Sequence, residues 1–246
     1  MNVSLYQAAS ALTANSRWQD LVSQNLASSA IPGFKKQELS FAAVEAGMMS
    51  ANSPGIRQMS MPQATAFTNF QQGELSPTPS NTDFALDGPG FFEVQLPNGA
   101  SAYTRNGQFK LSPQGQLVTH QGYPVLGDGG PIQKDVNNQN PLTVSPDGEV
   151  SQGADIKGRM KLANFNNPRL LTQVEGGLFL ATDPQILPIP ASAASVRQNW
   201  LEGSNTVSAN EMANLMSGMR TFEANQRVIQ IQDDRLGKAI SQIAGT

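Results

Sequence analysis

The spacing of apolar residues changes twice along this chain, and each change marks a boundary. Between residues 2 and 31 a heptad template at Leu5, Ala8, Leu12, Asn15, Gln19, Val22 and Leu26 is apolar at five of seven positions, with Trp18 and Leu21 flanking it. That recurrence predicts a helix with one apolar stripe. Ile31-Pro32-Gly33 predicts its stop, because a proline pushes the residue before it out of the α region. The template returns from 207 to 246, at Met212, Leu215, Met219, Phe222, Gln226, Ile229, Asp233, Leu236, Ile240 and Ile243, apolar at eight of ten positions. Ser208 and Glu211 have the spacing of a capping box. No proline interrupts the run, so about 36 residues predict a helix about 54 Å long.

Between the two helical stretches the pattern first fades and then shortens. Residues 34–80 are polar and carry Pro54, Pro62, Pro77 and Pro79. They read as an extended linker, with a short helical turn within 35–50 and an edge strand or two. From Thr82 to about Leu187 apolar residues alternate in short runs separated by Pro97-Asn98-Gly99, Asn106-Gly107, Pro113-Gln114-Gly115, Gly127 to Gly130 and Pro146-Asp147-Gly148. Such turn residues at such intervals predict antiparallel hairpins.

The expected class is α+β: long N- and C-terminal helices paired as a coiled-coil-like stalk, with a central antiparallel β domain. The expected division is 1–33 with 206–246 as a discontinuous helical domain, 34–80 as a linker, 81–190 as the β domain and 191–205 as the returning linker. Each helix has an apolar seam and no local partner, so pairing the termini buries both. Two such helices still leave an apolar strip uncovered, and strips of that kind mark association sites. The residues expected to carry assembly are Leu5, Leu12, Val22, Leu26, Met212, Leu215, Met219, Phe222, Ile229, Leu236, Ile240 and Ile243.

Composition narrows the chemistry. Charged residues make up 14% and the net charge is −3, which gives no broad attraction to nucleic acid. There are no cysteines and one histidine, His120, so a metal site would have to be built from carboxylates. No cofactor is expected. Asp233-Asp234 is the adjacent acidic pair, and neighbours on a helix point apart. Asp87-Gly88-Pro89-Gly90 leads into a strand and not a helix, so it reads as a turn and not a phosphate loop. Phe91, Phe92, Tyr103 and Tyr123 read as core. No stretch approaches the length of a membrane span. The N-terminus lacks the basic and apolar regions of a cleaved secretory signal.

These motifs together resemble the flagellar axial proteins of the rod and hook. Asn25-Leu26-Ala27 followed by Pro32-Gly33-Phe34-Lys35 is similar to their N-terminal signature. Leu86-Asp87-Gly88-Pro89-Gly90-Phe91-Phe92 and Tyr103-Thr-Arg-Asn-Gly-Gln-Phe109 resemble β-domain motifs of the same branch. Glu202-Gly-Ser204-Asn205, Glu211-Met212 and Arg220-Thr-Phe-Glu223-Ala224-Asn225 resemble its C-terminal helix. Gln24, Ser28, Ile31, Thr206 and Asp234 depart from the usual pattern; at 206 valine is common. The length and the β domain match the rod proteins that carry one. Phe41-Ala-Ala-Val-Glu45 favours the proximal-rod over the distal-rod type. The resemblance implies a non-enzymatic structural subunit, exported by the flagellar export apparatus without a cleaved signal. It implies a periplasmic basal-body location, partners among its own copies and other rod and hook subunits, and torque transmission. Cell-wall hydrolysis, or surface binding by a β module on a coiled stalk, are the readings from other classes.

Overall fold

The structure is a computed structural model, and it describes residues 3–46, 59–174 and 176–244. The chain divides into two compact units. One comprises Met1–Ala27, Gln37–Phe67 and Val207–Thr246, and the other Ser28–Lys36 and Thr68–Thr206.

The first unit holds the two long helices, α1 (Val3–Ala27) and α2 (Ser208–Ala244). α1 ends at Ala27, four residues before the expected stop. Turns follow, with the Ile31 amide donating to the Ser28 carbonyl and the Phe34 amide to Ile31. α2 opens with the Val207 carbonyl accepting the amides of Asn210 and Glu211. The strands Gln37–Ala46 and Met59–Thr68 pair with each other in the same unit. A helical turn was expected in that first stretch. Its strand partner lies some twenty residues on, and pairing of that kind overrides local pattern.

The helices meet, but not on the line the heptad template drew. On α2 the half-buried or buried positions run Glu211, Leu215, Gly218, Phe222, Asn225, Ile229 and Gln232. Leu215, Phe222 and Ile229 are as expected. Met212 and Met219 are each 53% exposed, and Gln226 and Asp233 are exposed with them. Gly218 gives the reason. A Cβ there would run into the Trp18 indole of α1, and the Asn15 amide donates to the Gly218 carbonyl at 3.1 Å. The close approach needs a residue with no side chain, so the contact line passes through 218 and not 219. On α1, Ala14, Leu21, Val22 and Asn25 are buried.

The second unit is built on a six-stranded antiparallel sheet in the order Thr172–Val174, Leu178–Leu180, Ser101–Thr104, Phe91–Gln95, Leu162–Phe165, Pro188–Pro190. Alternation along Phe91–Gln95 feeds two cores. Phe92 and Val94 join Phe84, Leu86, Phe109, Leu117, Val125 and Val150, while Phe91 joins Tyr103, Phe165 and Phe179. Four of the five predicted hairpin signals join paired strands, at 97–99, 113–115, 127–130 and 146–148. Asn106-Gly107 does not, because Ser101–Thr104 pairs with Phe91–Gln95 and Leu178–Leu180 and not with the strand that follows it. The stretches 34–80 and 191–205 are not free of structure: Ser195–Gln198 pairs with Phe84–Asp87, and Trp200–Glu202 pairs with Leu75–Pro77. The chain changes partner at Asn199, which takes the left-handed conformation (φ 63°). Its side chain donates to the Ser80 carbonyl and to Asn81 Oδ1. Asparagine tolerates that backbone better than bulkier residues.

Candidate functional site

The partner switch at Asn199 delivers Glu202 to the centre of the second unit, with no side-chain exposure. Its Oε1 accepts Lys35 Nζ at 2.5 Å and the Gly73 amide at 3.0 Å, and its Oε2 accepts Arg105 Nη1 at 3.2 Å. Its main-chain carbonyl accepts the Gly33 amide at 2.6 Å. The cations are satisfied further by backbone. Lys35 Nζ donates to the Gln71 carbonyl at 2.7 Å, Arg105 Nη2 to the Gly88 carbonyl at 2.7 Å, and the guanidinium lies 5.4 Å from the Phe91 ring centre. Two buried cations thus share one carboxylate. Burial lowers the proton affinity of both Lys35 and Arg105, and Glu202 works against that lowering in each case.

This cluster joins four stretches singled out in the sequence. Lys35 ends the Pro-Gly-Phe-Lys motif, Arg105 lies in Tyr103 to Phe109, and Glu202 opens Glu-Gly-Ser-Asn. Leu86 to Phe92 supplies the Gly88 carbonyl and the Phe91 ring. Motif residues around it close the same region. Gly33 (φ 68°) lies against the Arg105 main chain where no Cβ would fit. Asn205 Oδ1 accepts the Lys36 amide at 2.8 Å, and its Nδ2 donates to the Asn69 carbonyl at 2.8 Å. Ser204 Oγ accepts the Thr206 amide at 3.0 Å. Asp87 pairs with Arg197 nearer the surface. The segment that follows α1 and the one that precedes α2 are therefore fastened side by side within this unit. The motifs are legible in the sequence, but nothing in it marks Lys35, Arg105 and Glu202 as one site. The available signal was a charged residue embedded in each of three motifs.

In the first unit, Asn25 does comparable work: its amide donates to the Gln37 carbonyl at 2.7 Å and its Oδ1 accepts the Gln37 amide at 2.9 Å. The expected assembly residues separate into groups. Val22 is buried, and Leu12, Leu26, Leu215, Phe222 and Ile229 are half-buried. Met212 and Met219 are corrected from the α1-facing line to the exposed surface, because Gly218 occupies that line. With Met216, 57% exposed, they stand at i, i+4 and i+7 on one face of α2. The side chains of Leu5, Leu236, Ile240 and Ile243 lie outside the described residues. Among the other motif positions, Glu211 is buried, Asn225 half-buried, and Glu223 and Ala224 exposed.

Among the described residues there is no group of three His, Cys, Asp or Glu side chains placed to hold a metal. His120 is exposed, as are Asp233 and Asp234. No helix among the described residues is long and apolar enough to cross a membrane.

Two family profiles match the chain. The flagellar hook protein FlgE/F/G D1 domain covers residues 85–152, and the flagellar basal body rod FlgEFG protein C-terminal covers 197–242. The chain is similar to the flagellar basal-body rod protein FlgG of Borreliella burgdorferi, 34% identical with 96% of each chain covered. It is similar to FlgF of Caulobacter vibrioides, 34% identical with 91% of each covered, and to FlgF of Salmonella typhimurium, 31% identical with 97% of each covered.

Proposed function

This chain belongs to the flagellar basal-body rod proteins, and from that membership we propose how its two units serve a rod. The protein is a structural subunit of the flagellar basal body, associating with other rod and hook subunits. In our reading α1 and α2 act as a coiled-coil-like stalk and form the axial layer of a helical assembly. The β unit meets neighbouring subunits. Torque passes from one subunit to the next through both. The division into 1–33 with 206–246, 34–80, 81–190 and 191–205 is the functional division of this reading. The subunit has no catalytic role and no nucleic-acid partner, and it reaches the rod through the flagellar export apparatus. Within the rod it takes the proximal position, on the character of Phe41 to Glu45; relatives named FlgG and FlgF stand at equal identity.

The observation that carries this reading is the exposed Met212, Met216 and Met219 face. It lies beside the α1 contact line and is exposed among the described residues. Methionine side chains adapt to varied partner surfaces. A tagged subunit imaged in purified basal bodies tests the assignment. Density for the tag on the lower rod is expected. A tag outside the rod overturns the reading, and one near the hook overturns the proximal position.

A further inference from the structure

The β unit carries a second site that the rod assignment does not use. A cleft of about 710 Å³ opens over the face of the six-stranded sheet where Glu93 and Tyr103 are cross-strand partners. Both residues line it, and both are more than nine-tenths buried. Glu93 Oε1 accepts Ser101 Oγ at 2.6 Å and Lys161 Nζ at 3.0 Å. Both protein partners of the Glu93 carboxylate among the described residues are on Oε1, so Oε2 and the neighbouring Tyr103 hydroxyl are left open to the cleft. The Tyr103 ring is held edge-on against Phe165, with centroids 4.8 Å apart. Pro188, Ile189 and Pro190 wall the opposite side, on the edge strand.

We propose that this cleft receives a basic side chain, arginine or lysine, from a neighbouring polypeptide of the rod. A buried carboxylate with an open lone pair, next to a phenol open to the cleft, suits a donor-rich cation. An anion would face the same carboxylate at the inner end, although Arg159 and Lys161 line the cleft. Strand addition is disfavoured at this edge, since Pro188 and Pro190 have no amide to donate. Recognition therefore falls to a side chain entering from above. Lys161, whose side chain is half exposed, holds Oε1 as an internal competitor. The neighbour's identity as a rod polypeptide rests on the function proposed above; the cation preference does not.

The test uses the full-length protein and Nα-acetyl-arginine methylamide, followed by NMR or Tyr103-sensitive absorbance. Saturable binding with Kd on the order of 1 mM is expected. Glu93→Gln is expected to weaken it by about tenfold or more. Tyr103→Phe, which keeps the ring in place, weakens it less. Lys161→Met frees Oε1 and tightens it, an effect that loss of folding cannot imitate. The neutral citrulline analogue and N-acetylglucosamine are expected not to bind. Equal binding of either neutral probe, or no effect of Glu93→Gln, overturns the proposal. Tighter binding of putrescine than of the capped arginine assigns the cleft to a free polyamine and overturns the peptide source. None of these failures touches the rod assignment, which the tagged basal bodies decide separately.

Discussion

Lys35 and Glu202 stand 167 positions apart in sequence and form an ion pair with neither side chain exposed. Arg105 shares the same carboxylate, so the three charges leave one cation in excess. Removing one partner of a buried pair costs about 3–5 kcal/mol when it strands the other charge. Glu202→Gln strands two cations and is expected at the upper end. Lys35→Met leaves Arg105 and Glu202 as a matched pair and is expected to cost clearly less. Urea midpoints of the purified variants check the order. A Lys35→Met loss equal to that of Glu202→Gln would show that the excess cation is not what governs the cluster.

The same burial makes the protein's stability depend on pH at the alkaline end. Lys35 is held below the usual lysine value by burial, against the Glu202 charge, and Arg105 adds to the lowering. Between its folded value and 10.5 the unfolded chain binds more protons, so stability rises with pH in that window. Wild type is therefore expected to gain on Lys35→Met as pH climbs from neutral toward 10.5, and to gain nothing further above it. Urea midpoints of the pair across that range give the measurement, and a gap that stays constant counts against the shift.

How far the sequence foretold this depends on the range of each interaction. The hairpins at Asn98-Gly99 and Asp147-Gly148 were legible because a turn is decided by adjacent residues. The helices were legible because an apolar stripe needs only its own spacing. The strands at Gln37–Ala46 and Trp200–Glu202 were not, since their partners are distant and their local pattern is plain. The heptad template was off by one at Met212 and Met219 because it counts apolarity alone. Gly218 has none, yet it admits the Trp18 ring. The ion cluster was hidden for a related reason: a charged residue in a motif reads as surface until its counter-ion is found far along the chain.

Gly218 carries a prediction of its own. Alanine has the better helix propensity by about 1 kcal/mol, so an open site would be stabilised by Gly218→Ala. Here the added Cβ meets Trp18, and overpacking of that kind costs about 1–3 kcal/mol. The substitution is expected to lower amide protection in both helices. Trp18→Ala made in the Gly218→Ala background should recover part of the loss, and strictly additive effects would place the two residues out of contact.

Thr206 is the position where the family commonly has valine, and its buried hydroxyl finds no hydrogen-bond partner among the described residues. An unpaired buried hydroxyl costs about 1–3 kcal/mol, and valine keeps the shape without it. Thr206→Val is expected to raise stability by about 1 kcal/mol, read from the urea midpoint at unchanged slope. A neutral or destabilising result would mean that water satisfies the hydroxyl.

The two groups of apolar residues on α2 are separable by experiment. Leu215 and Phe222 lie on the line that meets α1, whereas Met212 and Met219 are exposed. A charge on the inner line is half-buried and unpaired, so Leu215→Asp or Phe222→Asp is expected to cost about 1–3 kcal/mol in the isolated chain. Hydrogen exchange should show both helices opening while the β unit keeps its protection. Met212→Asp and Met219→Asp place their charges in water and should leave that exchange pattern unchanged. Both pairs are expected to abolish swimming, the first through the helix pair and the second through contact with neighbouring subunits. Full motility of a Met212→Asp, Met219→Asp double variant would remove the exposed face from the assembly interface. Loss of helix protection in that variant would instead return the two methionines to the line that Gly218 now holds.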